Sequence, residues 1–170
     1  MPEGKYIIKL CLLGDGAVGK TSLVRRYVFD VFDDKYLVSF GTKVSKKTMS
    51  IEGSEIDLMI WDILGQKSHA ALHEAYYRGA AGAFAVCDYT RPDTLKNLKS
   101  WLGSFRSIVG EMPVIILGNK SDLEKRFTFQ ELEAYGQSVG CLVLETSAKT
   151  GQNVELAFEQ MGKKLLEAVR

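Results

Sequence analysis

Little in this chain is one-sided, and its absences narrow the field. Its 22 Lys and Arg stand against 21 Asp and Glu, a formal net charge of +1, so no overall field recruits nucleic acid or an anionic membrane. It has three cysteines. Cys11 and Cys87 sit in apolar, strand-like runs and Cys141 opens another, a spacing that fits neither a zinc site nor a disulfide framework. They read as buried small side chains in a reducing cytosol. No apolar run is long enough to span a bilayer. Met1-Pro2-Glu3-Gly4-Lys5 lacks the charged and apolar regions of a signal peptide, and Pro2 stands where a myristoylation signal has Gly. The expectation is a cytoplasmic protein.

What is present is an ordinary globular composition: 170 residues, 46% hydrophobic and 25% charged, enough for one domain over 1–170 and too few for two. Short apolar runs alternate with longer amphipathic ones. Tyr6–Leu13 reads as a buried strand, followed by a Gly-rich turn and a helix from about Lys20 to Phe29. Asp30–Gly41 is polar, aromatic and aperiodic, a long loop. Thr42–Ile51 and Glu55–Trp61 flank Glu52-Gly53-Ser54 and suggest a hairpin. Ile63–Tyr77 is a weak helix or a loop. Strand signals at Ala83–Cys87, Val114–Leu117 and Leu142–Leu144 then alternate with helices near Thr94–Val109, Phe129–Val139 and Val154–Val169. Asp93 or Thr94 is a candidate cap for the first of these helices and Asn153 for the last. Alternation of this kind predicts an α/β fold: a mostly parallel sheet with helices on both faces and one antiparallel edge strand. In such sheets ligands bind at the carboxyl ends of the strands. Four polar motifs fall there, after Leu13, Trp61, Leu117 and Glu145.

The first, Gly14-Asp15-Gly16-Ala17-Val18-Gly19-Lys20-Thr21, fits G-x-x-x-x-G-K-[ST] and lies between a strand and a helix, as a phosphate-binding loop must. Its glycines let consecutive N–H groups point inward at phosphates. Lys20 brings a point charge, Thr21 a hydroxyl for Mg²⁺, and the helix its N-terminal partial charge. Ser22 completes this group of candidates. The second, Asp62-Ile63-Leu64-Gly65-Gln66, fits D-x-x-G-Q. Asp62 can hold Mg²⁺ through water, Gly65 can bring its N–H to a γ-phosphate, and Gln66 can orient a water through its donor and its acceptor. Taken alone, D-x-x-G is an ordinary turn.

The third motif is Asn119-Lys120-Ser121-Asp122. The Asp122 carboxylate can accept from guanine N1–H and the exocyclic amine, a pair that adenine does not offer, which is discrimination by paired polar groups. The stem of Lys120 can cover a base face. In the fourth, Thr146-Ser147-Ala148-Lys149, backbone N–H groups can meet the guanine carbonyl. Alone, each of these tetrapeptides is an ordinary loop; at neighbouring strand ends they favour guanine.

With these residues the chain resembles the Ras superfamily from Lys5 to Val169, most closely its Rab branch, with a divergent or prokaryotic Rab-like member among the alternatives. Tyr76-Tyr77-Arg78-Gly79-Ala80, Trp61-Asp62, Gly118–Leu123 and Glu145–Lys149 look Rab-like. The resemblance implies a P-loop NTPase G domain with six strands, five helices and two nucleotide-sensing switches at Asp30–Gly41 and Ile63–Tyr77. It implies GTP and GDP as substrate and product, Mg²⁺ as cofactor, and an exchange factor, a GTPase-activating protein and effectors as partners of a monomer. Phe32 matches the aromatic packed edge-on against guanine, Tyr36 the tyrosine that closes over the phosphates, and Ser39 the threonine that binds Mg²⁺. Thr42 would take that role only if the loop shifts register.

Departures from the family stand beside the matches. Ile63 and Leu64 replace Thr-Ala, Lys67 replaces Glu, Val44 stands where Rab proteins have the Phe of an effector-binding triad, and Lys46 interrupts an apolar alternation. The chain ends Glu167-Ala168-Val169-Arg170 with no Cys for a prenyl group. It therefore either lacks a tail or works without a lipid anchor. No arginine for the transition state is evident within the chain, so the expectation is that a partner supplies one.

Two readings compete with a switch that hydrolyses GTP by way of Gln66 and Lys20. One is a nucleotide-dependent scaffold with little activity, favoured by Leu64 and Ser39. The other is an ATP-dependent kinase, which leaves Asn119–Asp122 without a role. His69 and His73 are expected to be solvated switch residues rather than metal ligands. Lys43, Lys46 and Lys47 are read as protecting an edge strand, and Trp101 as packing.

Overall fold

Alternation along the strands decides which side chain covers which face of the sheet. The computed structural model of the protein describes residues 4–32, 43–62 and 70–169, and of 70–72 the backbone alone. Its strands are β1 (Lys5–Leu13), β2 (Lys43–Ile51), β3 (Ser54–Asp62), β4 (Gly82–Asp88), β5 (Val114–Asn119) and β6 (Leu142–Glu145). Its helices are α1 (Lys20–Phe29), α2 (Ala70–Tyr77), α3 (Pro92–Lys96), α4 (Leu98–Val109), α5 (Phe129–Val139) and α6 (Val154–Val169). The strands form one sheet in the order β2-β3-β1-β4-β5-β6. β2 and β3 pair antiparallel, and every other neighbour is parallel.

With a side-chain period of two, Ile8, Leu10 and Leu12 of β1 join Phe84 and Val86 of β4 in one core, together with Phe158 and Met161 of α6 and Leu23 and Tyr27 of α1. The intervening Cys11, Leu13, Ala83, Ala85 and Cys87 enter a second core on the opposite face with Tyr77, Trp101 and Phe105. β4 and β5 are buried at every residue, as strands covered on both faces must be. In the first core Tyr27 stacks on Phe158 at 3.8 Å between ring centroids. The edge strand β2 alternates between exposed and half-buried positions. Lys46 pairs there with Asp57 at 3.6 Å, and charges on an edge strand oppose pairing with another chain.

The expected elements are present, with three differences. The helix expected from Thr94 begins at Pro92, because proline is preset for the first helical turn, so neither Asp93 nor Thr94 is its cap. Arg91 is, with extended dihedrals. The Thr94 hydroxyl instead donates to the Arg91 carbonyl at 2.7 Å and accepts the Asp88 N–H at 2.8 Å. Second, the same helix is divided at Asn97, which keeps helical dihedrals of −72° and −14°. The described residues therefore hold six helical segments where five helices were expected. Third, Asn153 precedes α6 with φ +56°, and its amide donates to the Glu145 carbonyl at 2.9 Å. Of the stretch expected as a helix or loop, Ala70–Tyr77 is helical; 63–69 lie outside the described residues, as does Thr42. No helix among the described residues is long and apolar enough to cross a membrane.

Candidate functional site

β1 ends at Leu13 and α1 begins at Lys20, and the loop between them is pressed onto its neighbours. Gly14 has φ +133°, and a Cβ there would lie 2.3 Å from the Val86 carbonyl oxygen. Gly19 has φ +104°, and a Cβ would lie 2.2 Å from Asn119 Nδ2. No other residue meets both demands. Lys20 is 6% exposed, and its ammonium donates to the carbonyls of Gly14 at 2.7 Å and Asp15 at 2.9 Å. Burial pushes its pKa down to about 8; Asp62 and Asp15 pull the other way, while Arg91 adds to the fall.

Asp62 ends β3 opposite this lysine. The Thr21 hydroxyl donates to Asp62 Oδ2. The other carboxylate oxygen, Oδ1, is buried without a hydrogen-bond partner among the described residues. Burial holds the Asp62 pKa above the usual carboxylate range, against the pull of Thr21, Lys20 and Lys43. The buried Asp62 carboxylate oxygen and the Thr21 hydroxyl are hard oxygen groups of the kind Mg²⁺ takes, and the Lys20 ammonium near them is a cation suited to a phosphate.

The segment at the end of β5 is tied to the same loop. Asn119 Nδ2 donates to the Val18 carbonyl at 2.9 Å, and its Oδ1 accepts from Thr146 at 3.0 Å. Lys120, at φ +64°, donates to the Ala17 carbonyl at 2.9 Å. It also pairs with Asp88 Oδ2 at 2.8 Å. Asp122 accepts from the Ser147 hydroxyl at 2.7 Å, which joins the two base-reading segments. Ala148 is buried and Lys149 exposed. Phe32 is half-buried against the core cluster that contains Ala148. Gly16 and Ala17 face solvent on the loop, Val18 is buried beneath it, and Ser22 is half-buried on α1. Tyr36, Ser39, Gly65 and Gln66 lie outside the described residues.

Several contacts escaped the sequence reading. The Asp15 carboxylate is taken by the Trp101 indole N–H at 2.8 Å and by Asn97 Nδ2 at 2.6 Å. Asp15 therefore offers a ligand its backbone, and Trp101 does more than pack. Asp88 is fully buried. Burial raises its pKa, but Lys120 and Thr90 together outweigh that and hold it below the usual range. Its second cation, Arg91, donates to Gly16 O at 2.7 Å, so Asp88 backs two positive groups that grip consecutive carbonyls of the loop. Its bond to the N–H of Thr90, two residues on, at 2.8 Å is an Asx turn, which Asp88-Tyr89-Thr90 could have signalled. His73 is a correction: it is buried, 5.2 Å from the Trp101 ring and 5.8 Å from that of Tyr77. Packing of α2 onto α4 takes it out of solvent. His69 lies outside the described residues.

The sequence has relatives among known proteins. A sequence model of the Ras family matches residues 9–167. The Ras-related protein Rab-21 of Mus musculus is 39% identical over 168 residues, covering 97% of this chain and 76% of that protein. Rab-21 of Homo sapiens is 39% identical over 168 residues, covering 97% of this chain and 75% of that protein.

Proposed function

This chain belongs to the Ras family of small GTPases and is Rab-like within it, and from that premise we propose how its own residues serve a GTP-binding molecular switch. The 170 residues act as one G domain. Backbone N–H groups of 15–21 surround the phosphates, with Lys20 as their cation. Asp122 reads the N1–H and amine of guanine, and Ser147, Ala148 and Lys149 meet its carbonyl. The observation that supports this best is the pair of bonds from Asn119 to Val18 O and from Lys120 to Ala17 O. They tie the segment proposed to read the base directly to the loop proposed to hold the phosphates.

When bound, Mg²⁺ offsets the charge of the β- and γ-phosphates; Thr21 Oγ1, Asp62 through water and Ser39 are the groups that would hold it. Catalysis is positioning and electrostatics without a covalent intermediate. Gln66 orients the attacking water. Lys20 balances the charge that develops as GTP becomes GDP and phosphate, slowly until a partner supplies an arginine. Loss of the γ-phosphate releases the segments near 30–41 and 63–77, which exchange factors, activating proteins and effectors recognise.

Displacement of bound GDP by GTP, ADP and ATP tests the base assignment, and equal affinity for ADP and GDP would sink it. Thr21→Asn should weaken GTP more than GDP in the presence of Mg²⁺, and an unchanged ratio would remove Thr21 from the metal. Ser39 and Leu64 favour a second reading, a scaffold with little hydrolysis, and single-turnover phosphate release separates the two.

A further inference from the structure

One side chain joins the last turn of α1 to the loop that follows β6. Arg26 donates from Nε to the Ala148 carbonyl at 2.7 Å and from Nη2 to the Lys149 carbonyl at 2.6 Å. Its Nη1 pairs with Asp30 at 3.1 Å. Asp30 is 89% exposed while Arg26 is 20% exposed, so the two carbonyls, rather than the carboxylate, are what the buried part of the guanidinium serves. The stem runs alongside the same loop: a Cβ on Gly151 would meet Arg26 Cδ at 3.9 Å. The preceding carbonyl, that of Ser147, is taken by the Gly151 N–H at 2.8 Å.

In a trans peptide the C=O and the following N–H point in opposite directions. Binding the Ser147 carbonyl therefore fixes where the Ala148 N–H points, and binding the Ala148 carbonyl fixes the Lys149 N–H. Among the described residues neither N–H donates to another protein group. The Gly151 N–H on one carbonyl and the Arg26 guanidinium on the next thus leave two oriented N–H groups in front.

We propose that Arg26 is a positioning residue for base specificity: through the Ala148 carbonyl it aims the Lys149 N–H at the 6-oxo group of the base, beside the Ala148 N–H that the Gly151 bond aims. The proposal rests on the guanine reading above. It separates recognition of the oxo group, which depends on Arg26, from recognition of the 2-amino group, which depends on Asp122.

The test compares three diphosphates by displacement of a fluorescent GDP. GDP carries both groups, the 2-aminopurine riboside diphosphate lacks the 6-oxo group and with it the N1–H, a loss at Asp122 that is the same in every variant of Arg26, and IDP lacks the 2-amino group. Arg26→Met keeps the stem and removes every donor. It is expected to lower the preference for GDP over the 2-aminopurine nucleotide on the order of tenfold, the scale of one charge-assisted hydrogen bond. The preference for GDP over IDP should stay as in the unmodified protein. Arg26→Lys, with the charge and a single ammonium, should recover part of the loss, and it carries the same comparison if Arg26→Met does not fold. Equal weakening of all three nucleotides would make Arg26 a merely structural residue, and no change in either preference would overturn the proposal as well. A lack of preference for GDP over ADP in the unmodified protein is a separate result: it removes the guanine reading first, and this proposal with it.

Discussion

At a pH of about 8.5, binding of GDP should take up a proton, and Lys20 should be where it goes. Lys20 is 6% exposed at the phosphate loop, and burial moves its pKa from 10.5 to about 8. That fall corresponds to about 3 kcal/mol against the charged form. At a pH of about 8.5 roughly three-quarters of such groups are neutral, whereas near pH 7 about a tenth are. Phosphates require the ammonium. Binding should therefore draw in about 0.7 proton at the higher pH and about 0.1 at the lower, and affinity should fall roughly fourfold between them.

The nucleotide-free fold should respond in the opposite sense. Its Lys20 pKa lies below that of the unfolded chain, so the unfolded chain binds more protons between pH 8 and 10.5. Stability therefore rises with pH across that window and is lost as pH falls through the folded value. Calorimetry in two buffers of different ionisation enthalpy reads the proton directly. No uptake at a pH of about 8.5 would mean that Lys20 is already charged in the empty loop, and the argument from burial would be refuted.

Asp122→Asn should shift preference from guanine toward xanthine nucleotides, because xanthine has a carbonyl where guanine has its amine; GDP and XDP competition checks this, and an unchanged preference removes Asp122 from the base. Gln66→Leu should slow single-turnover phosphate release and leave GTP binding nearly intact, since Leu has similar bulk but cannot orient water; a rate equal to that of the unmodified protein, both with and without an activating partner, would take Gln66 out of the mechanism. Trp101→Phe keeps the ring packed against His73 but deprives Asp15 of the donor at 2.8 Å. The expected cost is about 1–3 kcal/mol, read as a lower urea midpoint together with faster GDP release, and an unmoved midpoint would show that the bond contributes nothing.

What could be read from the sequence were features that act over a few residues. The phosphate loop declares itself because glycines at positive φ and a following helix are local requirements. The strands declare themselves as short apolar runs, and the antiparallel edge by a short Gly-containing turn. What stayed hidden were side chains that reach across the fold. Trp101 lies 86 residues from Asp15, and Arg91 lies 75 from Gly16. Arg26 lies 122 from Ala148. Trp101 and Arg26 sit on helices and Arg91 just ahead of one, where each looks like an ordinary packing or surface residue, and only the order of the strands brings them to these loops. His73 was misjudged for a related reason: α2 is short, and its burial comes from Trp101 and Tyr77 rather than from its own periodicity.

The chain has two tryptophans, and their surroundings turn them into built-in optical probes. Trp61 lies on β3 with the Lys9 ammonium 3.8 Å from its ring centroid, immediately ahead of the segment that follows Asp62. Trp101 is buried against His73 on α2, just beyond that segment, with its N–H on the phosphate loop. Indole emission responds to nearby cations, imidazoles and hydrogen bonds, so movement of either neighbour changes the intensity or colour of the light emitted. Exchange of GDP for GTP is expected to change that light in the unlabelled protein if it moves either neighbour, and replacing one indole at a time by Phe assigns the signal to the strand or to the loop.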